Sequence, residues 1–339
     1  MDERSGPAKQ GAAAVSGGRR WRLWLSGALI LGGLIVLVVH RGEIGQVLDL
    51  AAAAQPLWLA AALALQALTY VSAASVWYLV LRRAGHPYPL RALVPLGLAK
   101  LFADQAMPSA GMSGTAFFVA ALSRRGVPGA TCLAALLVSV VAYYSAYLAV
   151  ALASLIVLWL HHAMHRWIVL LAALFMFVAP AIPAGLLWLQ RRGQRPLPAW
   201  LRRLPGAELW LRYLDEAPDP PLLRGPWLVL AAVVPHATVF LLDAGTLWIV
   251  LRAIGEPVSF LIALPAFVLG SIAATLGPIP LGLGTFEATC VAVLSILGVS
   301  IEGALAATLL LRGFTLWLPM LPGLWLARRE ISRPPTQGS

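Results

Sequence analysis

Apolar and polar positions alternate along this chain as long hydrophobic runs separated by short basic connections. Runs near 22–39, 57–81, 129–160, 167–189, 226–251 and 303–327 approach or exceed the roughly twenty residues that a helix needs to cross about 30 Å of hydrocarbon. Two further apolar stretches, near 92–122 and 259–297, are interrupted by Pro and Gly. The pattern predicts an all-α integral membrane protein with six full spans and two broken hairpins, each either re-entrant or a pair of short spans. Composition changes nothing in that picture: 60% of the 339 residues are hydrophobic and 12% charged, which excludes a soluble domain.

A shift of 170 positions superimposes one half of the chain on the other. Pro56 falls on Pro226, Val80-Leu81-Arg82 on Val250-Leu251-Arg252, Gly85 on Gly255, Pro87 on Pro257 and Pro95 on Pro265. Pro108 meets Pro278, and Gly114-Thr115 meets Gly284-Thr285; two residues later in register, Leu122-Ser123-x-x-Gly126-Val127 matches Leu294-Ser295-x-x-Gly298-Val299. Matched Leu and Ala mean little in so apolar a chain, but matched Pro, Gly, Arg and Thr in one register mark an internal repeat. The copies run over about 56–160 and 226–327, each as span, hairpin, span.

Charge orients them. Twenty basic residues lie before the first span, in alternate connections including loop 190–225, and after the last span; the intervening connections hold only Arg41, Arg166 and Arg252. The positive-inside rule reads this split as both termini cytoplasmic. The two hairpins then enter from opposite faces, which makes the repeat inverted, a design associated with transporters. The net charge of +11 is therefore topological, and no nucleic-acid partner is expected.

Outside the membrane domain, 22–327, lie a tail at 1–21, read as disordered, and another at 328–339. Trp200, Leu204, Leu211 and Leu214 share a helical face in loop 190–225. That loop reads either as an amphipathic surface helix or as an Arg-rich linker. Cys132 and Cys290 fall within apolar helices as packing residues. His161, His162 and His165 lack a nearby carboxylate, so no metal site is expected, and no cofactor motif occurs.

The hairpin breaks concentrate the candidate chemistry. Pro278, Pro280, Gly282 and Gly284 before Thr285, and Pro108, Gly111 and Gly114 before Thr115, preclude regular helix. Helix is expected to resume at Thr285, with its hydroxyl capping free N–H groups. Unpaired backbone at such depth either makes a tight turn or lines a wet cavity. In the second case paired helix N-termini would attract a lipid phosphate. Intramembrane charge is the second pointer: Lys100, Asp104, Asp243, Glu287 and Arg312, with His236 nearby. Lys100 and Asp104, four apart, can satisfy each other; Glu287 and Arg312 are natural partners, as a structural pair or as pathway groups. Tyr143, Tyr144 and Tyr147 read as packing. No acid–base constellation assembles, so an enzyme is not expected.

Pro278-x-Pro280-x-Gly282-Leu283-Gly284-x-x-Glu287, then Leu294, Gly298, Leu310-Leu311-Arg312, Trp317-Leu318-Pro319 and Gly323, resembles the C-terminal signature of the flippase-like membrane domain of lysylphosphatidylglycerol synthases. Pro108-Ser109-x-Gly111 with Leu122-x-Arg124-Arg125-Gly126 resembles its N-terminal one. The resemblance spans about 22–327. It implies a lipid-translocating domain of a bacterial plasma membrane that moves aminoacylated phospholipid between leaflets. The family's N-terminal motif carries a Glu and an Arg where this chain has Gly114-Thr115-Ala116-Phe117. About a dozen residues follow the last span, so lipid aminoacylation by this chain is not expected. The reading is a phospholipid flippase or transporter, for an anionic or aminoacylated lipid. The competing reading is a non-transporting subunit that presents lipid to a separate synthase or glycosyltransferase.

Overall fold

Proline starts and glycine stops set the helix boundaries of both halves. The computed structural model describes residues 49, 52–106, 112–192, 226–277 and 279–332, and everything below lies in the unit Ala53–Ser339. Helix α1 (Pro56–Arg83) opens on Pro56, whose fixed φ suits a first helical turn and whose missing N–H is not needed there. It closes on Gly85 at φ 80°, where the His86 N–H returns to the Leu81 carbonyl at 3.0 Å. Helices α2 (Leu90–Ala106) and α3 (Met112–Ser123) form the first hairpin, and α4 (Gly129–Leu160) and α5 (Arg166–Arg192) follow. In the second half, α6 (Pro226–Ala253), α7 (Phe260–Leu276) and α8 (Thr285–Ile296) repeat the lengths of α1, α2 and α3. The last span is α9 (Ile301–Arg312), a π-helical turn at Gly313–Trp317, and α10 (Leu318–Ile331), together matching α4.

The turn chemistry repeats as well. Gly255 at φ 90° closes α6 with Glu256 N–H on the Leu251 carbonyl, as Gly85 closes α1. Gly126 and Gly298, at φ 82° and 93°, end α3 and α8 by the same closure, Val127 to Leu122 and Val299 to Leu294. Position 78 and position 248 each receive the following arginine: Arg82 donates to the Tyr78 hydroxyl, and Arg252 lies over the Trp248 ring.

Among the described residues, five helical segments are long and apolar enough to cross a membrane: Pro56–Arg83, Gly129–Leu160, Arg166–Gly185, Trp227–Ala253 and Ile301–Ile331. These are five of the six expected spans; the run at 22–39 and the loop segment 193–225, with its amphipathic pattern, lie outside the described residues. Hairpin helices of 17 and 12 residues reach only roughly 26 and 18 Å, short of a full crossing. They are the short helices of the two broken hairpins.

Helices α1 and α6 form the spine. The Gln55 N–H meets the Ala253 carbonyl at 3.0 Å, and Ser72 Oγ meets the Pro235 carbonyl at 3.0 Å. The start of one helix thus lies at the end of the other, and the two run antiparallel. Helix α4 packs along α6, and α10 packs along α2. Much of the core sits where α1, α2, α3 and α4 meet, around Trp77, Leu81, Leu93, Phe118 and Leu137. Lipid-facing side chains such as Phe177, Leu170 and Trp227 are exposed, as an all-round apolar surface requires in hydrocarbon.

Candidate functional site

The two hairpin turns solve one problem with different residues. At a helix start, the first N–H groups need acceptors that the helix cannot supply. In the first hairpin the acceptor comes from the preceding helix: Asp104 Oδ1 takes the Gly114 N–H at 2.8 Å, and Ser113 Oγ donates to the Ala103 carbonyl at 2.9 Å. Lys100, one turn earlier, holds the other carboxylate oxygen at 2.7 Å. A side chain at Gly114 would collide with the Asp104 carboxyl group and the Lys100 carbonyl. Glycine is therefore required there by close approach.

In the second hairpin the acceptor belongs to the new helix. Glu287, in the first turn of α8, takes the Gly284 N–H at 2.7 Å. Arg312 Nε donates to its other oxygen at 2.7 Å, and Arg312 Nη2 donates to the Leu281 carbonyl at 2.8 Å. The guanidinium also lies 5.0 Å from the centre of the Phe286 ring, a cation–π contact. The chain before α8 makes a tight turn at Pro280–Gly282, with Leu281 at φ 62° and Gly282 at φ 63°. A Cβ at Gly282 would strike Ala274.

This arrangement corrects one expectation about capping. Helix α8 does begin at Thr285, but the Thr285 hydroxyl donates to the Gly282 carbonyl at 3.1 Å and does not cap. Gly284, at φ 83°, turns its N–H towards Glu287, so the carboxylate takes the place expected of the hydroxyl. In the first half, helix resumes at Met112, and Thr115 lies inside α3. Pro108, Gly111 and Pro278 lie outside the described residues. Both helix N-termini are thus met by a carboxylate of the chain itself, each already paired with a cation.

A different place gathers polar groups without pairing them off. A cavity of about 420 Å³ lies between α1, α2, α3, α4 and α6, within the size range of small-ligand sites. On its α6 wall, Asp243 accepts from Gln66 Nε2 at 2.9 Å and from Thr69 Oγ1 at 3.5 Å, both on α1. Gln66 Nε2 also reaches Thr246 Oγ1 at 3.0 Å. No basic side chain pairs with Asp243 among the described residues. The Tyr70 hydroxyl is buried against the same cavity and has no hydrogen-bond partner among them. Two turns earlier on α6, His236 meets Ser139 of α4 at 3.2 Å, and Tyr143 stacks edgewise on His236 and packs on Phe240.

Of the predicted site residues, the cavity brings together Lys100, Asp243 and Thr115. Asp104 lies one helical turn from it through its pair with Lys100. Glu287, Arg312, Gly282, Gly284 and Thr285 form the separate second-hairpin cluster, and Pro280 belongs to its turn. The sequence reading missed Gln66, Thr69, Tyr70 and Ser139, and assigned Tyr143 to packing alone. Gln66, Thr69, Tyr70 and Ser72 do stand out as a polar cluster within an apolar run, which was the available signal.

No curated protein shows significant similarity to the chain. The family model for the lysylphosphatidylglycerol synthase TM region matches residues 23–323, nearly the whole length of the membrane domain, and the chain belongs to that family.

Proposed function

We propose that this protein is a phospholipid flippase of the plasma membrane, and that it takes lipids whose headgroup carries an ammonium group. The observation that carries this reading is Asp243: a carboxylate in the cavity, held by neutral donors and with no cationic partner among the described residues. A charge at such depth needs a counter-charge, and a headgroup ammonium supplies one. The Tyr70 hydroxyl and the remaining N–H donors of Lys100 face the same space and suit the phosphate of the same headgroup. The cavity has the volume of a headgroup, which leaves acyl chains in the bilayer. Aminoacylated phospholipids and phosphatidylethanolamine meet this description.

The inverted relation of the copies and the cytoplasmic placement of both termini belong to the same proposal. The antiparallel spine and the twenty-to-three split of basic residues between alternate connections support them. The hairpin loops, with carboxylate-capped helix starts, serve this reading as rigid walls more readily than as phosphate sites. Transport, not catalysis, is the proposed activity.

The test is leaflet exchange in proteoliposomes with acyl-labelled phosphatidylethanolamine and acyl-labelled phosphatidylglycerol. The full chain is expected to accelerate the amine-bearing lipid preferentially, and Asp243→Asn to abolish that preference. Equal rates for both lipids in the native protein would sink the headgroup assignment. Co-purification of lipid without any exchange would favour the subunit that presents lipid to a separate synthase or glycosyltransferase.

A further inference from the structure

A second pocket, of about 270 Å³, opens at the arginine-rich end of the bundle, between the start of α2, the turn after α3 and the end of α10. Its polar lining is Tyr88, Arg91, Arg125, Arg329 and Glu330, three guanidinium groups against one carboxylate. Glu330 is 5% exposed and its charge is already committed. Arg125 grips it with two hydrogen bonds, at 2.5 and 2.6 Å, and Arg124 approaches to 3.6 Å. Arg91 and Arg329 have no acidic partner among the described residues. Unlike the cavity that holds Asp243, this pocket has cationic charge to spare.

Its apolar side indicates what kind of anion fits. Arg329 lies over the Trp325 ring, 5.6 Å from its centre. One turn further along the same face of α10 comes Leu321, and then Leu318; all three apolar side chains are exposed. A guanidinium, an indole and a leucine stripe in that order match the headgroup, interface and acyl depths of a lipid. Leu326 and Pro95 line the pocket beneath the charges.

We infer that this pocket is a binding site for an anionic phospholipid. Its phosphate diester lies between Arg91 and Arg329, and an acyl chain follows Trp325 and Leu321. Basic pockets between transmembrane helices bind acidic headgroups by this chemistry. The site is distinct from the proposed translocation cavity and selects the opposite headgroup charge.

The experiment titrates the purified full chain with dioleoyl phosphatidylglycerol and, separately, dioleoyl phosphatidylcholine, and follows bound lipid by native mass spectrometry. Phosphatidylglycerol is expected to be retained preferentially. Arg91→Gln and Arg329→Gln are each expected to weaken it roughly tenfold, the loss of a charge-assisted hydrogen bond. Arg328→Gln, outside the pocket, is expected to change little. Unchanged retention in the Arg91→Gln, Arg329→Gln double variant overturns the site. Inorganic phosphate that displaces the lipid at equal concentration overturns the lipid assignment in favour of a free-anion site. A diazirine-labelled phosphatidylglycerol on the unmutated protein removes any dependence on variant folding: crosslinks are expected on 321–329, and crosslinks confined to other segments overturn the proposal.

Discussion

Arg312 Nε donates to Glu287 Oε1 at 2.7 Å, and the other oxygen of the same carboxylate accepts the Gly284 N–H at 2.7 Å. One carboxylate therefore ties together the last span, the hairpin turn and the start of α8. Both side chains are largely shielded, at 12% and 17% exposure.

Neutralising one partner leaves the other charge uncompensated, at a cost of roughly 3–5 kcal/mol for a buried pair. Glu287→Gln and Arg312→Gln are each expected to lower the yield of monodisperse protein and its Tm. The double variant is expected to recover much of both, because no bare charge remains. Full exchange activity in the recovered double variant would show the pair to be structural only; normal yields of both single variants would contradict the cost argument.

The two hairpin glycines are expected to differ in their tolerance of alanine. At Gly114 a methyl group meets the Asp104 carboxyl group and the Lys100 carbonyl, and such overpacking costs about 1–3 kcal/mol. At Gly284 the methyl group enters open space, so only the positive φ is penalised, by about 1 kcal/mol. Thermal melting of the two alanine variants should therefore rank Gly114→Ala below Gly284→Ala. The reverse order would remove the close-contact account of the first hairpin.

Much of this was legible in the sequence, because the bilayer constrains helices more tightly than water does. Five described spans begin and end within a few residues of the apolar runs, and the offset of 170 reappears in helix lengths and in the glycine closures at positions 85 and 255. The pairs Lys100–Asp104 and Glu287–Arg312 followed from the cost of isolated charge. What escaped was convergence. Gln66 and Asp243 are 177 positions apart, and nothing in their spacing indicates that α1 and α6 cross where both face one cavity. Thr285 was assigned a cap because hydroxyls often cap, yet a Glu in the first turn after a positive-φ glycine competes better. The π-helical turn at Gly313–Trp317 is marked only indirectly, by Gly313 at its start and Pro319 just beyond its end.

Gln66→Leu removes the amide that donates to Asp243 and leaves that carboxylate with Thr69 alone, at 3.5 Å. An unsatisfied buried acceptor costs about 1–3 kcal/mol, more for a charged one. Lower thermal stability is expected, and Asp243→Asn in the same background should restore part of it by removing the charge. Unaltered melting of Gln66→Leu would mean that the cavity solvates Asp243 well enough without the amide.

Cysteines placed at His162 and at Ser332 test the orientation. The native Cys132 and Cys290 are both buried, so background labelling should be low. An impermeant thiol reagent applied to intact cells is expected to label the cysteine at 162 and spare the one at 332. The opposite pattern would reverse the charge-based topology.

Positions 66 and 236 are the same place in the two halves of the repeat, yet one holds the amide that steadies Asp243 and the other the imidazole that meets Ser139. The one cavity is therefore lined unequally along α6, by an amide and carboxylate at one level and by an imidazole and hydroxyl two turns away. Divergence at this pair of positions has thus given two places that match in sequence different polar partners.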